Sequence, residues 1–173
     1  MKTGKNKSLG FGISLFFCLV GLGLLSAFVF QSEWKYYLYA EAGFRIRFPV
    51  APKVAQEQNA TVAQIQSQGV TYQVAAQYGQ RFDLNLAEKL LQESESGFVD
   101  PSQDIIVSRR DNFKVKNYPA KEIRIRTQEG LFIIFRTIIT PKCTYQFVVS
   151  RNGAFAEAAL VAQFFDSFAM LAP

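Results

Sequence analysis

Residues 9–30 contain no charged side chain, and neither do Ser8, Gln31 and Ser32 beside them. At ~1.5 Å rise per residue, a helix of this length reaches ~33 Å, enough to cross a hydrocarbon core of ~30 Å. Lys2, Lys5 and Lys7 come first, so the layout is that of a signal peptide or a signal anchor. The run is long for the apolar part of a cleaved signal. Cleavage after Ala27 would put the bulky Leu25 at the −3 position, and Cys18 follows Phe16 and Phe17 rather than the small residues of a lipobox. An uncleaved anchor is favoured over a cleaved signal. Positive charge on the short side predicts an N-terminus inside the cell. The expected placement is therefore a single pass through a bacterial cytoplasmic (inner) membrane, with the rest of the chain in the periplasm or outside.

The anchor changes how the charge is interpreted. The formal net charge is +5, from 19 Lys and Arg against 14 Asp and Glu. Three of the lysines precede the apolar stretch, so the chain from Gln31 onward carries 16 basic against 14 acidic residues, close to neutral. Nucleic acid is not expected as a partner. Of the two cysteines, Cys18 lies in the apolar run and Cys143 far beyond it, so an internal disulfide is excluded. There is no histidine. Serine and cysteine nucleophiles that rely on imidazole as base have none here, and no Cys/His cluster exists for zinc. No glycine-rich phosphate loop occurs, and Asp100 with Asp104 supply too few carboxylates for a calcium site. Cofactors are expected to be none, and catalysis is not expected.

The chain divides into a basic tail (1–8), the anchor (9–30), an aromatic linker (31–42) and one domain (43–173). Trp34, Tyr36, Tyr37 and Tyr39 suit the headgroup level of a bilayer, or else begin the domain's own core; both readings stand. In the domain, Phe44, Ile46 and Phe48 alternate with Arg45 and Arg47, which predicts a half-buried strand ended by Pro49 and Pro52. A polar, glutamine-rich stretch, a turn at Gln68-Gly69 and the alternation from Val70 to Tyr78 predict a hairpin. Asn85 and Glu88 resemble a capping box, opening a helix with Leu86, Leu90 and Leu91 inward, Glu95 among the outward residues and Gly97 as the stop. Ile105 to Val107 is a short strand candidate, and Phe113 and Val115 resume alternation before a break at Tyr118-Pro119-Ala120. Ile123 and Ile125 alternate with Arg124 and Arg126. A turn at Gly130 leads to a central strand over 131–139, a second turn at Pro141-Lys142, and a strand over 144–149. A last helix is expected over 154–165, with Phe155, Ala158, Ala159, Ala162 and Phe165 on one stripe. The pattern predicts an α+β fold, an antiparallel β-sheet flanked by two helices.

Phe44-Arg45-Ile46-Arg47-Phe48-Pro49, the glutamine-rich hairpin, Tyr118-Pro119-Ala120-Lys121-Glu122, the turn at Gly130, Tyr145-Gln146-Phe147 and the closing Phe164-Phe165-Asp166-Ser167-Phe168 fall in a familiar order. In this order the chain resembles bacterial single-domain proteins of the PsbP-like fold group, relatives of the extrinsic photosystem II subunit, over about residues 43–171. The resemblance implies an antiparallel sheet flanked by helices and an accessory or binding role rather than catalysis. The chain departs from the photosynthetic members in lacking their lipobox and in having no histidine.

The sharpest site candidate is basic. Arg109, Arg110, Lys114, Lys116, Lys121, Arg124 and Arg126 lie close in sequence, opposed only by Asp111 and Glu122, and Arg45 and Arg47 form a second outward pair. Together they suggest a positive patch for an acidic partner or anionic lipid headgroups. A solvated strand face is the commoner explanation of such a pattern. A second, neutral candidate is the surface formed by Gln56, Gln58, Gln64, Gln66, Gln68, Gln73, Gln77 and Gln80, which could accept another strand. The expected function is a non-catalytic, membrane-tethered extracytoplasmic interaction module, such as an accessory subunit of an envelope complex. The alternative is a small-ligand or lipid-binding domain with a pocket between sheet and helices.

Overall fold

A computed structural model of the chain describes residues 33–79 and 81–171. The basic tail and the apolar stretch at 9–30 lie outside the described residues. Among the described residues no helix is long and apolar enough to cross a membrane.

Two antiparallel sheets form the domain. The small one contains β1 (Lys35–Tyr39), β2 (Phe44–Phe48) and β10 (Ala169–Met170), with β2 in the middle. The large one contains β3 (Lys53–Glu57), β4 (Ala60–Ser67), β5 (Val70–Tyr78), β6 (Asp104–Val115), β7 (Tyr118–Thr127), β8 (Leu131–Ile139) and β9 (Cys143–Asn152). Its spatial order is β3-β4-β5-β9-β8-β7-β6. Two α-helices complete the described residues, α1 (Ala87–Phe98) and α2 (Ala158–Asp166).

The turns explain the hairpins. Gln68 and Gly69 both have positive φ, at 52° and 75°, and close a two-residue loop that sets Ser67 opposite Val70. That backbone twist matches the twist of the paired strands. Lys116 and Asn117 repeat the device, at 49° and 74°, between β6 and β7. The break expected at Tyr118-Pro119-Ala120 therefore sits two residues earlier, and Pro119 is inside β7, opposite Lys114. The two strand pieces expected between 105 and 115 are one edge strand, β6. Its register shifts between Ile106 and Ser108 and again between Arg110 and Phe113. Such bulges break the alternation that periodicity relies on.

Alternation across the large sheet separates two cores. On one face, Tyr72 and Val74, Ile134 and Ile138, and Phe147 and Val149 meet Phe44, Ile46 and Phe48 of the small sheet and Val161, Phe164 and Phe165 of α2. Phe164 touches Phe48, Tyr72 and Phe147, while Phe168 touches Phe44, Tyr145 and Phe147, so these two rings bind the small sheet to the large one. On the opposite face, Ile123, Ile125, Ile133, Phe135 and Val148 form a second cluster under the C-terminal end of α1. There Phe98 stacks on Phe135 at 4.0 Å.

Both helices are phased differently from the sequence expectation. A 3₁₀ turn, Leu84–Leu86, precedes α1, and its cap is Asp83, whose carboxylate accepts from the Asn85 N–H at 2.9 Å. The Asn85–Glu88 capping box does not form: Leu86 occupies the N-cap of α1 without a side-chain hydrogen bond, and Glu88 falls in its first turn. This late start turns Ala87, Leu91 and Glu95 inward at the i, i+4, i+8 spacing and leaves Leu86 exposed. Glu95, expected outside, is only 4% exposed. Gly97 does not stop α1, which runs one residue further. α2 starts at Ala158 rather than 154, and its buried residues are Val161, Phe164 and Phe165, with Ala158, Ala159 and Ala162 in solvent. The larger rings bury more apolar surface than alanine and win the inward positions.

Candidate interaction surfaces

The arginines of β7 are built into a surface by the neighbouring strands. Ile123 and Ile125 point to the α1 core, so Glu122, Arg124 and Arg126 point to the opposite face. Register places Arg110 of β6 beside Glu122 on one side and Arg136 of β8 on the other. Arg136 donates from Nε at 2.9 Å and from Nη2 at 2.6 Å to Oε2 of Glu122. Its guanidinium lies 4.0 Å above the Phe165 ring and 5.6 Å from that of Phe113. Arg110 stacks on Phe113 at 4.3 Å, and Arg124 lies 5.8 Å from Phe155 and 4.0 Å from Oε1 of Glu122. Arg110, Arg124 and Arg126 are exposed. Arg136 and Arg124 thus share the largely buried carboxylate of Glu122, Arg110, Arg124 and Arg136 lie over phenylalanine rings, and Arg126 extends the same face further along β7. Stacked guanidiniums keep their edge N–H groups free for a carboxylate or phosphate.

The opposite face is different in kind. Glu95 receives Arg109 Nη2 at 2.6 Å and pairs with Lys121 Nζ. Lys121 also reaches Asp111 at 3.2 Å and donates to Gln92 at 3.1 Å. Burial alone would lower the Lys121 pKa, but the hydrogen bonds and attraction from Glu95 and Asp111 outweigh it and the net shift is upward. Alongside, Gln146 donates to Ser94 Oγ at 2.9 Å, and Ser94 and Thr137 share a 2.9 Å hydrogen bond. This polar seam holds α1 on the sheet. The crevice lined by Leu91, Glu95, Lys121, Ile123, Phe135 and Thr137 encloses no volume that a water molecule could occupy.

The nine basic residues singled out in the sequence are therefore not one patch. Arg110, Arg124 and Arg126 share a face, which Arg136, not singled out, completes. Arg109 belongs to the α1 seam, Lys114 alternates to that same side of β6, and Lys116 lies in the turn. Arg45 and Arg47 are on the small sheet. The signal that finds Arg136 is its position within an otherwise apolar run: a lone arginine in a central strand needs a buried partner.

Arg45 and Arg47 flank Tyr36, their guanidiniums 4.9 and 4.3 Å from its ring. Register puts Tyr36 opposite Arg47 and Leu38 opposite Arg45, on the side of the small sheet turned away from the core. Tyr36 is 47% and Leu38 64% exposed. The other aromatics of the expected linker belong to the fold. Trp34 sits edge-on to Tyr72 at 5.2 Å, Tyr37 contacts Phe48 at 6.0 Å, and Tyr39 stacks on Phe44 at 4.7 Å.

The glutamine-rich hairpin includes a true sheet edge at β3, all of whose residues are exposed. Gln73 is not part of its solvated surface, being buried between neighbouring strands, and Gln80 lies outside the described residues. Cys143 is buried, and burial pushes its thiol up to about 12. Among the described residues no group of three His, Cys, Asp or Glu side chains comes together as a metal site would require.

The fold is thus an α+β domain with antiparallel sheets and two helices. No family model matches the chain, and no curated protein does. Among solved structures it is similar to the solution structure of cyanobacterial PsbP (CyanoP) from Synechocystis sp. PCC 6803. That likeness is 12% identical, covers 86% of this chain and 98% of that one, and has a TM-score of 0.49. It is also similar to the crystal structure of a protein of unknown function, PA94 from Pseudomonas aeruginosa, described as a putative regulator. Here the identity is 14%, the coverage 69% of this chain and 83% of that one, and the TM-score 0.43. Both are likenesses of backbone alone.

Proposed function

We propose that the chain is a non-catalytic, membrane-tethered extracytoplasmic interaction module that binds an acidic partner protein on the arginine face of β6, β7 and β8. The observation that carries this reading is that Arg110, Arg124, Arg126 and Arg136 share one sheet face, where Glu122 meets only Arg124 and Arg136, and three of the four guanidiniums lie over phenylalanine rings. The fold gains little from Arg124 and Arg126, which are exposed. Their cost, mutual repulsion on one face, is what an acidic partner would relieve. The tether is inferred from the uncharged run at 9–30 and its basic flank. The absence of histidine from the sequence, together with a Cys143 thiol that stays protonated at neutral pH, supports binding over catalysis.

The test is crosslinking of the full chain in native membranes, followed by mass spectrometry, with and without Arg124→Glu and Arg126→Glu. Loss of a specific crosslinked protein on charge reversal, with the unfolding midpoint unchanged, is the expected result. Identical crosslinks from both chains would reject the arginine face as the docking surface.

A further inference from the structure

The outer face of the small sheet has a composition that neither the core nor the arginine face explains. Tyr36 and Leu38 are the large apolar side chains of β1 that remain in solvent, while their neighbours Tyr37 and Tyr39 turn inward. Arg45 and Arg47 rise beside them from β2, and the Nε of Arg47 is buried without a hydrogen-bond partner. An aromatic ring, an aliphatic side chain and two arginines on one strand pair form the mixture favoured at the level of lipid headgroups, where apolar groups reach the acyl boundary and guanidiniums meet phosphate.

Distance along the chain decides what covers this face. The apolar run ends at residue 30 and β1 begins at Lys35. Four residues separate them, so the five Cα steps of ~3.5 Å span at most ~17 Å. If 9–30 crosses the membrane, β1 is held within that distance of the hydrocarbon edge, inside the headgroup zone or just beyond it. A soluble protein would have to enter that narrow space to cover Tyr36 and Leu38, whereas anionic lipid is already there.

We infer that the outer face of β1 and β2 lies on the bilayer, with Tyr36 and Leu38 at the headgroup boundary and Arg45 and Arg47 on anionic lipid phosphates. This rests on the tether in the proposed function and goes beyond it, because a tether alone leaves the domain free to tumble. An arginine near an anionic surface contributes about fivefold to the preference for that surface, so losing both shifts the face-down population by about 25-fold.

The experiment uses the full chain in vesicles, with Cys18→Ser and a nitroxide on Leu38→Cys; a second chain carries the nitroxide on Ile105→Cys of β6. Relaxation by oxygen is compared with relaxation by a water-soluble nickel reagent. In vesicles containing phosphatidylglycerol, the label at 38 should favour oxygen while that at 105 behaves as in water. Arg45→Gln with Arg47→Gln, or pure phosphatidylcholine, should remove the difference. Equal, water-like behaviour at 38 and 105 in a chain that resists carbonate extraction overturns the inference and leaves the tether standing. Release by carbonate overturns both. Protection at 38 that does not depend on phosphatidylglycerol overturns the assignment to anionic headgroups, and protection found only in native membranes assigns the face to a protein instead.

Discussion

Replacing Glu95 is the sharpest test of how α1 is held. Its carboxylate is 4% exposed and receives Lys121 and Arg109. Removing one partner of a buried pair costs about 3–5 kcal/mol, because the other is left as an uncompensated buried charge. Here Lys121 keeps Asp111 at 3.2 Å and Gln92 at 3.1 Å, and Arg109 is half-exposed and rehydrates, so the low end applies: about 3 kcal/mol for Glu95→Leu. Removing both charges should be far milder. Leu91, Ile123 and Phe135 already line the crevice, so Glu95→Leu with Lys121→Met fills it with apolar atoms and should fall within about 1 kcal/mol of the parent. The coupling in the double-mutant cycle is then at least about 2 kcal/mol, larger by whatever Lys121→Met costs alone. Urea unfolding of the full chain in detergent reads this directly. Trp34 is the only tryptophan and packs edge-on to Tyr72, so its fluorescence follows the core. A single-mutant loss below about 1 kcal/mol, or a double mutant as unstable as Glu95→Leu, would refute the account of Glu95 as a buried, charge-paired latch.

Two further outcomes are expected from burial and backbone geometry. Burial pushes Cys143 from 9.0, and Tyr72 and Tyr39 from 10.0, up to about 12, so the folded chain holds these protons where the unfolded chain releases them. Stability should be full below about pH 9 and fall as pH rises toward about 12, with Cys143→Ala delaying the onset toward 10; a urea midpoint that stays flat over this range would contradict it. Gly79 has φ +86°, and a Cβ there would meet Asn59 Oδ1 at 2.6 Å, so Gly79→Ala should cost about 1–2 kcal/mol in thermal or urea unfolding. Asn59→Ala should recover the steric part of that loss and leave the strain; full recovery would show that the left-handed backbone costs nothing here.

Alternation made β5 and β7 legible, and an uninterrupted apolar run between turn residues marked β8 as a central strand. It failed where the period is interrupted. Ser108 to Asn112 contain no apolar residue, and the bulges of β6 let that edge strand continue without one. β10 is two residues long and exists because β2 offers a free side and Leu171 N–H reaches the Gly43 carbonyl at 2.8 Å, a long-range pairing with no local signal. The helix stripes failed for a related reason. A 3₁₀ turn ahead of α1 moves every inward position, and a Glu at an inward position is invisible until its partners on β6 and β7 are known. The basic cluster was visible as composition and misleading as a patch, since alternation sends Arg109 and Arg110 to opposite faces.

That split is also what gives the domain two distinct charged faces. Arg109 and Lys121 are used up by Glu95 on the α1 side, where burial requires their charges to be matched. Arg124 and Arg126 point to the side that α2 and the small sheet cover only in part, where Arg124 shares Glu122 with Arg136, so positive charge is left in excess. The small sheet packs on that same side, so the Tyr36–Leu38 face and the arginine face belong to one half of the molecule. If the first rests on lipid, the second stands back from it by about one layer of packed sheet, ~10 Å. A partner anchored in the same membrane by its own segment is then the geometry best suited to the arginine face. Its acidic stretch would need to lie only just outside the bilayer, and tethering would raise its effective concentration beyond what a freely diffusing protein could match.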